Sequence, residues 1–322
     1  MATSVDDRNA RIAGQYRAFA GEAQGRSPQY EELAQAVAGD PAVLAFLAGL
    51  PGPKRQPNLL FAAARYLLGA PPGLGELHAL VSGDGAELAR TMEGRRTQTN
   101  EPARCATLLP ALALLPQPLA LIEVGASAGL TLLADKYSYD YDGQRVSGTD
   151  PLAPVLSCRP RGPVPLPVRV PEVAWRAGLD LNPLDVTSED DVRWLECLLW
   201  PGETGRLERL RAAVETARRD PPRLVRGDLL TDVPGLVAQA PPGATVVIFH
   251  SAVLGYVSPP QRAEFAACVA RLGVTWLANE GPGVLAGITA PDAGRHGFVL
   301  VKDGTEAIAL TDSHGTWVEW LG

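Results

Sequence analysis

Six residues, Leu119 to Val124 (LALIEV), run almost without polar interruption into Gly125-Ala-Ser-Ala-Gly129. An apolar run too short for a helix, with glycine directly behind it, is how a strand buried on both faces of a parallel sheet reads. Similar runs recur at Val173 to Leu181, Arg223 to Arg226, Thr245 to Phe249 and Val274 to Ala278. Helical stripes lie between several of them. Val192, Leu195, Leu198 and Leu199 form one, and Leu207, Leu210, Val214 and Ala217 form another. Ser258-Pro-Pro-Gln261 has the form of a capping box and opens a helix through Phe265 and Val269. Strands alternating with helices imply βαβ units with right-handed crossovers, and so an α/β fold with a mostly parallel sheet. The end of the chain differs. Phe298 to Lys302, Glu306 to Thr311 and Thr316 to Trp320 read as antiparallel strands, with turns at Asp303-Gly304 and His314-Gly315. Residues 143 to 172 are rich in proline and glycine and predict an insertion, a hairpin projecting from the sheet.

No strand-like alternation precedes residue 119. Ile12, Tyr16, Phe19 and Ala23 repeat at helical spacing, and Ser27-Pro28 and Asp40-Pro41 each look like an N-cap followed by proline at the first helical position. Ala103 to Leu115 is apolar nearly all round, which marks a buried helix, with Pro110 set to kink it. The chain has 322 residues, room for two units at roughly 150 residues each. The expected division is an all-helical cap region over 1–116 and an α/β domain over 117–322.

Net charge is −7, and the arginines between Arg206 and Arg226 are interleaved with Glu208, Glu215 and Asp220. That is a solvated helix face, and an acidic chain repels phosphate backbones, so nucleic acid is not an expected partner. Cys105, Cys158, Cys197 and Cys268 form no C-x-x-C pair, which points away from zinc and toward a reduced compartment. His78, His296 and His314 have no partners at metal-ligand spacing, so no metal site is expected. Met1 to Asp7 carries no cleavage-type signal and no run of about 18 apolar residues exists. The expectation is a soluble cytoplasmic protein with no membrane contact and a small-molecule substrate. Nothing in the sequence marks an oligomeric state.

The chemistry concentrates at strand ends. Gly125 lets the chain turn and lets a ligand approach the backbone, while Gly129 lets a helix starting over Ala128 to Lys136 pack on the strand. Free amides at that helix start suit a carboxylate. Asp180, in Gly178-Leu-Asp-Leu-Asn-Pro183, ends the next core strand, where an acid accepts hydrogen bonds from a ribose diol. Asp140 or Asp142 is the alternative for that position. Asp228, in Val225-Arg-Gly-Asp-Leu229, ends the third strand, and its carboxylate or the Leu229 amide suits an adenine edge. Taken singly, each acid also reads as a cap or turn residue. Taken in order, all lie where open α/β sheets bind ligands, at the carboxyl ends of parallel strands.

This order resembles the class I S-adenosylmethionine-dependent methyltransferases, a Rossmann-like fold, in the turn from Glu123 to Gly129, Gly-x-Asp-x-x-Pro around Asp180, and Gly227-Asp228. Over nearly its full length the chain more closely resembles the bacterial domain-of-unknown-function family 2332. That likeness rests on Arg96-Thr-Gln-Thr-Asn-Glu-Pro-Ala-Arg-Cys105, the Glu-Val-Gly-Ala-Ser-Ala-Gly turn, Trp175-Arg-Ala-Gly-Leu-Asp-Leu-Asn-Pro-Leu-Asp185, Phe249-His-Ser-Ala-Val and Asn279-Glu-Gly-Pro282. The methyltransferase resemblance implies S-adenosylmethionine as cofactor. Glu123 would then sit under the methionine amine, and Gly125, Ser127 and Gly129 would line the methionine and ribose. Asp180 would bind the ribose hydroxyls and Asp228 the adenine. Three features depart from that pattern: Ser127 stands for the usual middle glycine, the link from Gly129 to Asp180 is long, and no helix is evident between Glu280 and Phe298.

Reacting groups are expected near the ends of strands four and five. His250 is a candidate general base, or a histidine satisfied by a backbone carbonyl. Glu280 is placed to orient a substrate amine, or to cap Gly281-Pro282. Ser251 and Asn279 are candidate substrate contacts, as are Asn100 and Arg104 before the first strand; Arg104 offers a fork for a carboxylate or pairs with Glu101. Ser251 lacks the G-x-S-x-G elbow of hydrolases. The leading expectation is a methyltransferase acting on a small molecule. The alternatives are a binding or regulatory protein that keeps the fold without turnover, and an enzyme using the fold for chemistry without S-adenosylmethionine.

Overall fold

The computed structural model describes residues 5–83 and 85–322. The expectation for Met1 to Ser4 lies outside the described residues. The chain divides into two compact units, Met1–Thr99 with Glu189–Glu208, and Asn100–Ser188 with Arg209–Gly322. The division thus falls at Asn100, not at residue 117, and the first unit takes in a helical segment from inside the α/β stretch.

The first unit holds α1 (Val5–Ala23), α2 (Pro28–Val37), α3 (Pro41–Gly49), α4 (Pro57–Leu68), α5 (Leu74–Gly83) and α6 (Gly85–Gly94). Asp40 caps α3 by accepting the amides of Ala42 and Val43 at 2.9 and 3.0 Å. Ser27 does not cap α2, and its buried hydroxyl has no partner. Tyr16, Phe19 and Tyr30 gather around Phe61, with ring centroids 6.0, 5.7 and 4.9 Å from it. Apolar faces at period 3.6 bury these rings against one another, which is what holds short helices together.

The second unit opens with α7 (Arg104–Ala113), buried from Arg104 to Leu112 despite Pro110 within it. Then follow β1 (Leu119–Val124), β2 (Ser138–Tyr141), β3 (Gln144–Val146), β4 (Val155–Ser157), β5 (Arg159–Arg161) and β6 (Val173–Asp180). After α8 (Glu189–Cys197), in the first unit, and α9 (Thr204–Arg219) come β7 (Arg223–Arg226), α10 (Val233–Val237), β8 (Thr245–Ser251), α11 (Pro259–Leu272) and β9 (Thr275–Glu280). The chain ends in β10 (Gly297–Lys302), β11 (Glu306–Asp312) and β12 (Trp317–Trp320).

One nine-stranded sheet runs β5-β12-β11-β10-β9-β8-β1-β6-β7. Its parallel part is β7-β6-β1-β8-β9, with the first strand in the middle and the order 3-2-1-4-5. That order places a switch point beside β1, where such sheets open a crevice. Beyond β9 the strands β10, β11 and β12 add antiparallel in chain order. A short strand from the insertion, β5, closes the edge parallel to β12.

Register divides the side chains between two faces. Glu123 pairs with Gly178 and Phe249, Phe249 with Leu277, and Ser251 with Asn279. Glu123, Phe249, Ser251, Leu277 and Asn279 therefore share one face, because paired parallel residues point the same way and alternate along each strand. Ile122, Val124, Ala177, Leu179, Ile248, Trp276 and Ala278 share the other, under Val233 and Leu236 of α10 and Phe265 and Val269 of α11.

Two local expectations change. The helix anticipated over Ala128 to Lys136 is one 3-10 turn, Leu130–Leu133. Gly129 before it stands at φ 72, the Leu130 amide donates to Asn100 Oδ1 at 2.9 Å, and the Thr131 hydroxyl is held by Glu123. The carbonyls that a longer helix would use are taken by side chains instead: Leu130 by the Tyr137 hydroxyl, Leu132 by Arg176 and Ala134 by the Tyr139 hydroxyl. The insertion also starts earlier, at Ser138, and packs down instead of projecting. Strands β2 and β3 form a hairpin turning at Asp142 and Gly143, and β4 pairs with β2. Tyr137, Tyr139 and Tyr141 are buried, and their hydroxyls donate to the carbonyls of Leu130, Ala134 and Ala106 at 2.7, 2.5 and 2.7 Å. Asp140 and Asp142 belong to that hairpin, so Asp180 is the one of the three acids that ends a strand of the parallel run.

Candidate functional site

The turn after β1 is held by the strand beside it. The amides of Gly125 and Ala126 both donate to the Leu179 carbonyl, at 2.7 and 3.2 Å. Ser127 stands at φ 52, rare for a residue with a Cβ, and its amide donates to Asp180 Oδ2 at 2.8 Å. Asp180 Oδ1 accepts the Asn182 amide at 2.7 Å. Asp180 is thus the anchor that fixes the left-handed Ser127, with each carboxylate oxygen already taking one of the donors it can accept. Gly125 stands at φ 71, and a Cβ there would collide with the Val253 side chain. A Cβ on Gly129 would lie 2.7 Å from Pro222 Cγ and 3.0 Å from Leu224 Cδ2. The glycines therefore serve close protein packing, and the open side of Gly125 is occupied by Val253.

Glu123 is buried, with one oxygen taken by the Thr131 hydroxyl. Its other oxygen, Oε2, is buried with no hydrogen-bond partner. Burial pushes its pKa from 4.5 up to about 8; Thr131 and the nearby Arg104 oppose the rise, and Asp180 adds to it. In the free protein the group is mostly a neutral acid at pH 7.

Around Glu123 on the same face, Asn279 Nδ2 donates to Ser251 Oγ at 3.1 Å, and Asn279 Oδ1 accepts from the Thr311 hydroxyl at 2.7 Å. The Arg104 guanidinium donates to the Ser251 carbonyl at 3.1 Å and the Ser313 carbonyl at 2.9 Å, tying together the ends of β8 and β11. Glu101 accepts from Arg209 at 2.7 Å and from the Ala103 amide at 3.1 Å. Asn100 holds the Leu130 amide. The four expected substrate contacts, Asn100, Arg104, Ser251 and Asn279, are therefore brought together with Glu123.

His250 and Glu280 lie on the opposite face. His250 is fully buried between Phe265 and Trp276. The Trp276 indole N–H donates to His250 Nε2 at 3.0 Å. An indole nitrogen only donates, so Nε2 accepts and the ring proton sits on Nδ1. Nδ1 is 2.7 Å from Glu280 Oε1. Both ring nitrogens are thereby committed, to a tryptophan and a carboxylate and not to a backbone carbonyl. The same Glu280 oxygen accepts the amides of Val253 and Leu254 at 2.8 and 2.9 Å. Burial works to raise the Glu280 pKa, but the His250 bond and the two amides outweigh it and hold the group below the ordinary carboxylate value. These bonds pin the elbow after β8, where Ala252 stands at φ 60. The anticipated cap of Gly281-Pro282 is instead a clamp on residues 253 and 254.

Asp228 lies apart, at the end of β7. Its Oδ1 accepts the Leu230 amide at 2.8 Å, and its own amide donates to Asp232 Oδ2, an acidic turn that leaves Leu229 partly buried. Thr131, Val253 and Trp276 escaped the sequence reading. Thr131 follows the glycine turn directly and had a positional signal; Val253 and Trp276 act through contacts across strands and had none.

Among the described residues no group of His, Cys, Asp and Glu is arranged to hold a metal, and no helix is long and apolar enough to cross a membrane. The four cysteines are buried and free. Neither the curated proteins nor the solved structures contain a match to this chain. A family model described as "uncharacterized protein conserved in bacteria" (DUF2332) matches residues 13–320. That span covers most of both units and every site residue described above, and the chain is a member of this bacterial family.

Proposed function

We propose that the protein is an S-adenosylmethionine-dependent methyltransferase acting on a small molecule, with the cofactor's amino-acid end at Glu123. One observation carries the reading: Glu123 Oε2 is buried, unpartnered and next to a tight glycine turn at the switch point of a 3-2-1-4-5 sheet. A buried acid without a donor is costly, and an incoming ammonium supplies one. The cofactor would bring a methyl group already activated by its sulfonium. The chain's own part would be to hold and orient. Glu123 would take the amine, the Ser127–Asp180 side of the turn would meet the ribose, and Asn279 and Ser251 would face the acceptor. The Val253 side chain closes the Gly125 side, so contact runs past Ser127.

A second reading, a binding protein without turnover, draws on the Val253 packing and on the commitment of both Asp180 oxygens to backbone amides. Titration with S-adenosylhomocysteine by calorimetry tests the cofactor assignment. Wild type should bind, and Asp180→Ala and Glu123→Gln should each weaken binding about tenfold or more, the worth of a charged hydrogen bond. Absence of binding, or equal binding by all three proteins, overturns the assignment. Transfer of labelled methyl to a component of a bacterial metabolite extract separates the two readings.

A further inference from the structure

The cavity beside Glu280 takes no part in that reading. It measures about 80 Å³ and lies on the Trp276 face, between β9 and β10 and the loop 281–291. Leu285, Ile288, Ala290, Val299 and Val301 give it apolar side chains, residues 281–283 and Pro291 complete a lining of mixed polarity, and Glu280 is the one ionisable residue in it. The loop is held in place by Arg262, which donates to the carbonyls of Val284, Val257 and Gly255 at 3.1, 2.8 and 3.2 Å.

Glu280 is 1 % exposed. All its hydrogen bonds reach Oε1, from the His250 ring, the Val253 amide and the Leu254 amide. Among the described residues none reaches Oε2. All three donors are neutral, since the His250 proton is on Nδ1 and Nε2 accepts from Trp276. The carboxylate's charge is therefore solvated on one side but not cancelled. A neutral apolar guest in the cavity would strip Oε2 of water and give nothing back. An anion would be repelled. Water would satisfy Oε2 and leave the side chains of Leu285, Ile288, Ala290, Val299 and Val301 wet. A guest with a cationic head and an aliphatic body answers both needs.

We propose that this cavity is a binding site for a small alkylammonium, its ammonium on Glu280 Oε2 and its chain against Ile288, Leu285, Val299 and Val301. The volume suits a guest of about five to eight heavy atoms, since one water needs roughly 10–15 Å³ on a comparable scale. The site is separate from Glu123, on the other face of the sheet, and stands whether or not a nucleoside cofactor binds there.

The test uses the full chain and three probes of one shape: isobutylammonium, isobutanol and isobutyrate, titrated by NMR at pH 7. Isobutylammonium should shift the Val299, Val301 and Ile288 methyl signals and bind at least about tenfold tighter than isobutanol, with isobutyrate weakest. Glu280→Gln keeps an Oε1 acceptor for His250 and the two amides and replaces Oε2 with a donor, so it should fold and lose the ammonium preference. Ile288→Trp fills the cavity from its loop without touching the carboxylate and should abolish binding. No binding of isobutylammonium, equal binding of the alcohol, or undiminished binding to Ile288→Trp overturns the proposal. Affinity for S-adenosylhomocysteine should be unchanged in Ile288→Trp, which keeps failure of this site distinct from failure of the cofactor assignment.

Discussion

Replacing Glu123 by glutamine should make the protein less sensitive to rising pH. The acid is buried, its Oε2 has no partner, and its pKa stands at about 8 against an ordinary 4.5. The folded chain therefore holds this proton more tightly than the unfolded chain does. Stability is full below about pH 4.5, falls as pH climbs from there, and levels off above about 8. A difference of this size corresponds to a loss of about 3–4 kcal/mol between pH 5 and pH 8 from this one group. Glutamine keeps an oxygen for the Thr131 hydroxyl and has no proton to lose. Urea unfolding of both proteins at pH 5 and pH 8 measures the effect. The gap between wild type and Glu123→Gln should move by most of that amount in the variant's favour as pH rises. Parallel stability profiles would show that Glu123 is solvated or paired in the folded state, and the argument for a waiting amine site would go with it. S-adenosylhomocysteine should reverse the dependence, because a bound ammonium stabilises the ionised acid.

Gly125→Ala should destabilise by about 2–4 kcal/mol, combining left-handed strain with overpacking against Val253; recovery of part of that loss by adding Val253→Ala, measured by thermal unfolding, identifies the contact, and no recovery refutes it. Trp276→Phe should cost about 1–3 kcal/mol by leaving His250 Nε2 buried without its donor. In wild type the ¹⁵N spectrum of His250 should show the Nδ1–H tautomer, and an Nε2–H signal would contradict the hydrogen-bond assignment.

The strands of the parallel run and of the C-terminal meander were legible because each is a local matter. Leu119–Val124 and Arg223–Arg226 keep the bounds their apolar runs suggest, the others of that set differ by one or two residues at one or both ends, and β2 to β5 were not foreseen as strands. What escaped the sequence is what depends on distant partners. The 3-10 turn at Leu130–Leu133 replaces a helix because Tyr137, Arg176 and Tyr139 claim the carbonyls of Leu130, Leu132 and Ala134. Ser258 and Gln261 look like a capping box, yet the hydroxyl donates to the Gln261 side chain at 2.6 Å and makes no bond to the helix backbone. Strand β5 is three residues long and contains Pro160; only its pairing with β12 makes it a strand. The grouping of Glu189–Glu208 with the first unit is of the same kind.

The most consequential thing hidden in the sequence was parity. Glu123, Ser251 and Asn279 differ from His250 and Glu280 by one step of a two-residue period, and that step separates them by the thickness of the sheet. The separation bears directly on mechanism. Beside Glu123 stand Ser251, Asn279, Thr311 and Arg104, none of which takes up a proton near neutral pH. Of that set Glu123 alone is poised there, and it cannot hold an ammonium as a carboxylate and serve as a free base at once. His250, the obvious base in the sequence, is spent on Trp276 and Glu280. The methyl transfer proposed above would tolerate such a site, because a bound sulfonium would supply the activation and the chain would need only to align the acceptor. The acceptor would then be a group that is nucleophilic without losing a proton in the site, such as a thiolate, a carboxylate or a neutral amine nitrogen. An alcohol or a phenol would need a base that Ser251, Asn279, Thr311 and Arg104 do not supply.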